Sequence, residues 1–248
     1  MNVSLYQAAA AMNAQARWQE LITENLASGS VPGFRKKDIS FSAVEAGLDP
    51  TAIRNNGAHY VIPTAQASTN FQPGDLRATG NQMDFALHGP GFIEVQMPNG
   101  AHGYTRDGEL HLDSTGQLVT KQGYTVFGDN GPMQFDLNNG GAITMAPTGE
   151  ISQGGEIKGR VQIVEFSDPH LLTAIGSGYF LADNPNAQAG PAAATTIQQG
   201  FLEASNTSPT AEMANLITAM RMFESNQKVM QMQDDRMGRV ISELGNPS

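Results

Sequence analysis

Five histidines (His59, His88, His102, His111 and His170) and 24 acidic residues are the side chains in this 248-residue chain best suited to bind a metal or move a proton. No two histidines stand at a His-x-x-x-His step and the chain has no cysteine, so neither common zinc spacing is present. The lack of cysteine also removes disulfides and thiol nucleophiles. It suits a reducing compartment or an exported protein built without bridges. There is no Gly-x-Ser-x-Gly elbow and no phosphate loop ending in Gly-Lys-Ser/Thr. Asp136-Leu137-Asn138-Asn139-Gly140 begins like a calcium loop, but Pro147 stands where the closing Glu belongs, so it reads as a turn. Asp107 with Glu109, or Asp234 with Asp235, could form a glycosidase pair only if the fold set the required separation, and adjacent acids are ordinarily solvated. The chemistry-bearing residues therefore predict no metal, no cofactor and no catalytic site.

Charge excludes further classes. The formal net charge is −10, and residues 71–183 hold 5 basic and 13 acidic residues. Arg35-Lys36-Lys37 is the one basic run, too short for a phosphate-binding surface, so no nucleic-acid partner is expected. The longest wholly apolar run, Ala8 to Met12, is far below the ~20 residues that span a bilayer, so direct membrane insertion is not expected. The start of the chain lacks a basic stretch, and its alanines are interrupted by Asn13 and Gln15, unlike a cleaved secretory signal.

If no site carries chemistry, the elements themselves become the functional candidates. Val3 to about Ala27 contains no Pro or Gly and is rich in Ala and Gln, which predicts a helix. Leu5, Ala9, Met12 and Ala16 recur at four- and three-residue steps, Ile22 and Leu26 extend the stripe, and Trp18 and Leu21 mark a second contacted face. Ser28-Gly29-Ser30-Val31-Pro32-Gly33 stops the helix. Residues 35–70 show no period and read as an extended linker with a strand near His59 to Ile62.

From about Phe71, turn residues recur at short intervals: Pro98-Asn99-Gly100, Asp113 to Gly116, Asp129-Asn130-Gly131, Asn138 to Gly141 and Pro147-Thr148-Gly149. The apolar runs between them predict strands at Phe92–Met97, Glu109–Leu112, Leu118–Thr120, Thr125–Phe127, Met133–Leu137, Ile143–Met145 and Arg160–Phe166, with a loop over Ala187–Thr196. Thr105 to Gly108 reads as a β-turn, with Arg106 bridging to a carboxylate.

The last segment is the most regular. Ser208 can cap a helix that starts at Pro209, and Glu212 falls in its first turn. Met213, Leu216, Met220, Phe223, Gln227, Met230, Asp234, Met237, Ile241 and Leu244 then step by three and four, the spacing of a coiled-coil seam. Some 36 residues make a rod of about 54 Å, longer than a β domain of this size, so the stripe needs a partner beyond that domain. Methionine suits such a seam because it adapts to irregular gaps.

The expected fold is α+β: a mainly antiparallel, sandwich- or barrel-like β domain over 71–204, a linker over 35–70, and a helical assembly domain made of 1–34 with 205–248. The two helices are expected to pair in coiled-coil fashion. An adhesin-like β module on a helical stalk and a cell-wall-cleaving enzyme remain the alternative readings.

Three strings bear a resemblance to a known family. Asn25-Leu26-Ala27-Ser28 is followed by Pro32-Gly33-Phe34-Arg35-Lys36. Gly80, Asp84, Gly91, Phe92, Tyr104, Arg106 and Gly108 punctuate the string from Thr79 through Gly108, which Gly116 to Thr120 continues. Gly200, Glu203 and Asn206 precede the heptad helix. Together they resemble the bacterial flagellar rod and hook family, the axial proteins of the basal body. Gly74 to Gly80 is more similar to the proximal than to the distal rod subunit. The resemblance implies a structural subunit whose paired terminal helices line a tube while the β domain faces outward. It implies copies of itself and other axial proteins as partners. It also implies delivery by the flagellar type III export apparatus into the periplasmic rod without a cleaved signal. Gly33 is expected to take a positive φ, Phe34 to staple the extended segment to the helix end, and Asn25 to bond backbone there.

Overall fold

A computed structural model describes residues 3–46 and 60–244. The chain forms two compact units. One comprises residues 1–27, 37–68 and 208–248, and the other residues 28–36 and 69–207.

The first unit contains both long helices and a β-ribbon. α1 spans Val3–Ala27 and α2 spans Pro209–Leu244. α2 begins where Ser208-Pro209 predicts, and the Ser208 carbonyl accepts the Glu212 N–H at 3.0 Å. The segment without a period yields two ten-residue strands, β1 (Lys37–Ala46) and β2 (Tyr60–Thr69), paired as a two-stranded sheet. The expected strand near His59 is thus found from Tyr60 onward, and His59 itself lies outside the described residues.

The two helices lie against each other. The covered stripe of α2 is Glu212, Leu216, Ala219, Phe223, Asn226, Met230 and Gln233, a regular four–three alternation. Leu216, Phe223 and Met230 belong to the seam read from the sequence. Its other flank is displaced by one residue, leaving Met213 and Met220 about half exposed at 57% and 51%, and Met237, which follows Met230 on the shared flank, is 49% exposed. In α1, Ala14, Leu21 and Ile22 are buried, Met12, Ala16 and Leu26 are half-buried, and Ala9 is exposed. The second face of α1 has an identified partner, because the Trp18 ring meets Phe41 of β1 edge-on at 5.7 Å. The side chains of Leu5, Ile241 and Leu244 lie outside the described ones.

The strands of the second unit all pair antiparallel. Three of its strands are β3 (Leu76–Ala78), β4 (Phe85–His88) and β5 (Phe92–Gln96), with β6 at His102–Thr105. The main sheet runs Thr173–Gly176, Tyr179–Leu181, β6, β5, Thr125–Gly128, Leu118–Thr120, Leu110–Leu112. Ile163–Phe166 also pairs with β5 and, on its other side, with Ala189–Pro191. Thr196–Gln199 pairs with β4, and Phe201–Glu203 with β3. The path has two free ends, Thr173–Gly176 and Leu110–Leu112, so the expected barrel-like closure does not occur.

Alternation decides which core each side chain enters. Ile93 and Val95 of β5 join Phe85, Leu118, Val126 and Tyr179 in the larger core. Phe92 points the other way, to Tyr104, Phe166 and Phe180. Expected strands fail where alternation is not matched by a neighbour. Met133–Leu137 makes only the isolated bridge of Gln134 to Gln117, while Met133 and Phe135 anchor in the core. The run Arg160–Phe166 breaks between the strands Glu156–Arg160 and Ile163–Phe166. The expected loop over 187–196 contains the short strand Ala189–Pro191.

Candidate functional site

The β unit holds a buried ionic clasp that ties residues 28–36 to its last strand. Glu203 ends the strand Phe201–Glu203 with its carboxylate 1% exposed. Arg35 Nη2 donates to Glu203 Oε1 at 2.6 Å, and Arg106 Nε donates to Oε2 at 2.8 Å. Gly74 N–H donates to Oε1 at 2.9 Å. Arg106, which follows β6, is fully engaged: Nη1 donates to the Gly91 carbonyl at 2.6 Å and Nη2 to the Leu87 carbonyl at 3.1 Å. Its guanidinium also lies 5.7 Å from the centre of the Phe92 ring. Arg35 differs, because its buried Nε and Nη1 have no acceptor among the described residues. Burial pushes the Arg35 guanidinium below its ordinary value, with Glu203 opposing and Arg106 adding to the push.

Backbone contacts close the clasp around these charges. Gly33 N–H donates to the Glu203 carbonyl at 2.7 Å. Gly33 has φ +67°, as expected, and a Cβ there would sit 2.4 Å from the Arg106 carbonyl carbon. Gly108 is tighter still: a Cβ would fall 1.6 Å from the Phe85 carbonyl oxygen. Asn206 acts as a second latch. Its Oδ1 accepts the Lys36 N–H at 2.7 Å, and its Nδ2 donates to the Asn70 and Gln72 carbonyls, both at 2.9 Å. Phe34 is 3% exposed, and its carbonyl accepts the Asn206 N–H at 3.4 Å. In the other unit, Asn25 is 2% exposed and exchanges two 2.8 Å hydrogen bonds with the backbone of Lys37, fixing the start of β1.

The expected β-turn over 105–108 is made by side chains instead. Thr105 Oγ1 accepts the Asp107 N–H, and Asp107 Oδ1 accepts the Glu109 N–H, each at 3.0 Å. Asp107 is 1% exposed, and its Oδ2 has no hydrogen-bond partner among the described residues. Burial pushes its carboxyl up to about 6. The Glu109 N–H opposes this, the charge of Glu109 adds to it, Lys121 opposes, and Asp84 adds. The folded state therefore holds this proton more tightly than the unfolded state. The resulting stabilisation is full below about pH 4, the unfolded value, and is lost as pH rises past about 6. The raised value corresponds to about 3 kcal/mol. Asp107→Asn should remove this dependence, so that its stability relative to the parent chain rises by about 3 kcal/mol between pH 4 and pH 7 in denaturant titrations. A difference independent of pH would refute the assignment.

The remaining motif residues are dispersed. Asp84 is buried and accepts from Asn81 Nδ2 at 2.8 Å, Tyr104 lies in the smaller core, Gly91 donates to Thr195 Oγ1, and Gly80 and Gly200 take positive φ near β3. Sequence reasoning missed Arg35. It appeared there only in a basic run and within the string from Pro32 to Lys36, and a lone Arg carries no sign of a carboxylate 168 positions away. Among the described residues no group of His, Asp and Glu is placed to hold a metal, and no helix is long and apolar enough to cross a membrane.

Comparison with known proteins gives a consistent result. Residues 198–243 match the family model described as the flagellar basal body rod FlgEFG protein C-terminal region. Residues 86–159 match that of the flagellar hook protein FlgE/F/G D1 domain. The flagellar basal-body rod protein FlgG of Borreliella burgdorferi is 32% identical over 95% of this chain and 96% of its own. The flagellar basal-body rod protein FlgF of Caulobacter vibrioides is 30% identical over 99% of both, and that of Escherichia coli 31% identical over 96% and 97%. The relatives carry both names at similar identity, so these matches do not separate the two rod positions.

Proposed function

The chain belongs to the family of flagellar basal-body rod proteins, structural proteins rather than enzymes, and from that premise we propose that it is a subunit of the rod, polymerising through α1 and α2 with copies of itself and with other axial proteins. In this reading the helices pair in coiled-coil fashion and line a hollow shaft. The shaft transmits torque and passes later subunits outward. The type III export apparatus delivers the chain to this periplasmic position without a cleaved signal.

One observation carries the proposal. α2 presents a second apolar line of Met213, Ile217 and Met220, each about half exposed, beside the stripe that α1 covers, and Met237 and Val240, also about half exposed, continue the covered stripe beyond Gln233. A helix needs one such stripe for a single partner, and two adjoining stripes fit a helix with neighbours on more than one side. The clasp suits the same role. It fixes the entry and exit of the β unit within a few residues of each other, so that load reaching one is shared by the other.

Mass spectrometry of gradient-purified basal bodies from the source cell tests this. We expect the chain at a few copies or more per particle, retained after detergent extraction. Intact particles without it, from cells that contain the protein, would reject a rod role.

A further inference from the structure

The clasp borders a cavity of about 390 Å³ within the β unit, walled by Phe71, Pro73, Leu87 and Phe92 and reached by both arginines and Glu203. The volume lies within the range of small-ligand sites, about 300–1,000 Å³. We propose that this cavity is a carboxylate-binding site, in which Arg35 supplies the recognition and the aromatic wall takes the apolar part of the ligand.

Three observations point to that chemistry. First, the charges do not balance. Two guanidiniums, 1% and 3% exposed, face one carboxylate, so the cluster carries one excess positive charge away from water. Second, the excess is localised. Arg106 has an acceptor for Nε and for each terminal nitrogen, whereas Arg35 has one for Nη2 alone. Nη1 carries two N–H groups and Nε one, and a buried charged donor without an acceptor is costly to keep. Third, the wall is already built. Phe71 meets Phe92 at 6.1 Å and Phe180 at 5.5 Å, so its ring is held in place by neighbours.

A single excess charge matches a monoanion, and a doubly charged phosphate would leave charge unbalanced against apolar walls. A carboxylate offers two acceptors to an arginine that has donors to spare. The carboxylate can belong to a small free acid or to an Asp or Glu of a second copy of this chain, whose residues 71–183 are strongly acidic.

The test is an NMR titration of the full chain, following the Arg35 Nε–H signal and the Gly74 and Gly89 amides. Acetate and propionate are added at constant ionic strength against sodium chloride. Saturable shifts are expected, with propionate the tighter because its extra carbon reaches the rings. Arg35→Lys keeps the charge opposite Glu203 but removes the planar pair of Nε and Nη1 donors, and should weaken acetate by about tenfold or more. If a neighbouring copy fills the site, the same signals move on concentrating acetate-free protein, and acetate reverses the change. If a free acid fills it, they are independent of protein concentration. Signals that answer to neither acetate nor concentration, or equally to chloride, would overturn the proposal, and this reading needs only the unmodified chain.

Discussion

Glutamine in place of Glu203 is expected to destabilise the β unit by about 3–5 kcal/mol, the range for removing one partner from a buried ion pair. The substitution preserves shape, and the amide oxygen can still accept two of the three hydrogen bonds that the carboxylate receives. What it removes is the single negative charge between Arg35 and Arg106, whose side chains are 1% and 3% exposed. Two buried cations then repel each other with nothing to compensate them. The damage should spread along the backbone, because Glu203 also accepts Gly33 N–H through its carbonyl and Gly74 N–H through its side chain. Denaturant unfolding of the full chain, followed through the β unit, gives the number. A loss below about 1 kcal/mol, as at exposed salt bridges, would show that the clasp is not desolvated as described.

What was legible in the sequence follows from where the information is local. Both helices were readable because propensity, caps and period agree over 25 and 36 residues. Hairpins were readable from Asn-Gly and Asp-x-Gly turns; Asp129-Asn130-Gly131 does join two strands, with Gly131 opposite Gly128. The β1–β2 ribbon was half-read, as an extended segment with one strand near its end, because the alternation of Ile39, Phe41 and Ala43 with Asp38, Ser40 and Ser42 is short and its covering partner, Trp18, lies in a helix. The clasp shows the limit best. Arg106 could be assigned a carboxylate but not which one, and Arg35 was unreadable, since their common partner is separated from them by 97 and 168 residues. The one-residue displacement of the α2 seam has a similar origin. Leu216, Phe223 and Met230 serve either stripe, and sequence period favours the methionine side, whereas α1 packs on the side of Ala219, the smallest residue available and fully buried.

That displacement makes a sharp test of assembly possible. Met213→Asp combined with Met220→Asp should abolish incorporation into the rod, and with it motility, while leaving the single chain folded. Both positions are about half exposed in the single chain, at 57% and 51%, so neither aspartate needs to be buried for α2 to lie on α1. In a polymer whose neighbours cover this line, each aspartate would be desolvated without a cation. A penalty of about 3 kcal/mol at each would weaken every contact by roughly a hundredfold per site. The control is the opposite flank. Ala219→Asp places its charge at a position fully buried in the single chain, so it should unfold the helical unit before assembly is reached. Circular dichroism of the isolated chains separates the two effects, and motility in soft agar with basal-body preparations reads the outcome. A swimming strain carrying the double aspartate would mean that the exposed methionine line is not an assembly surface, and the contacts between rod subunits would then have to be sought on the β unit.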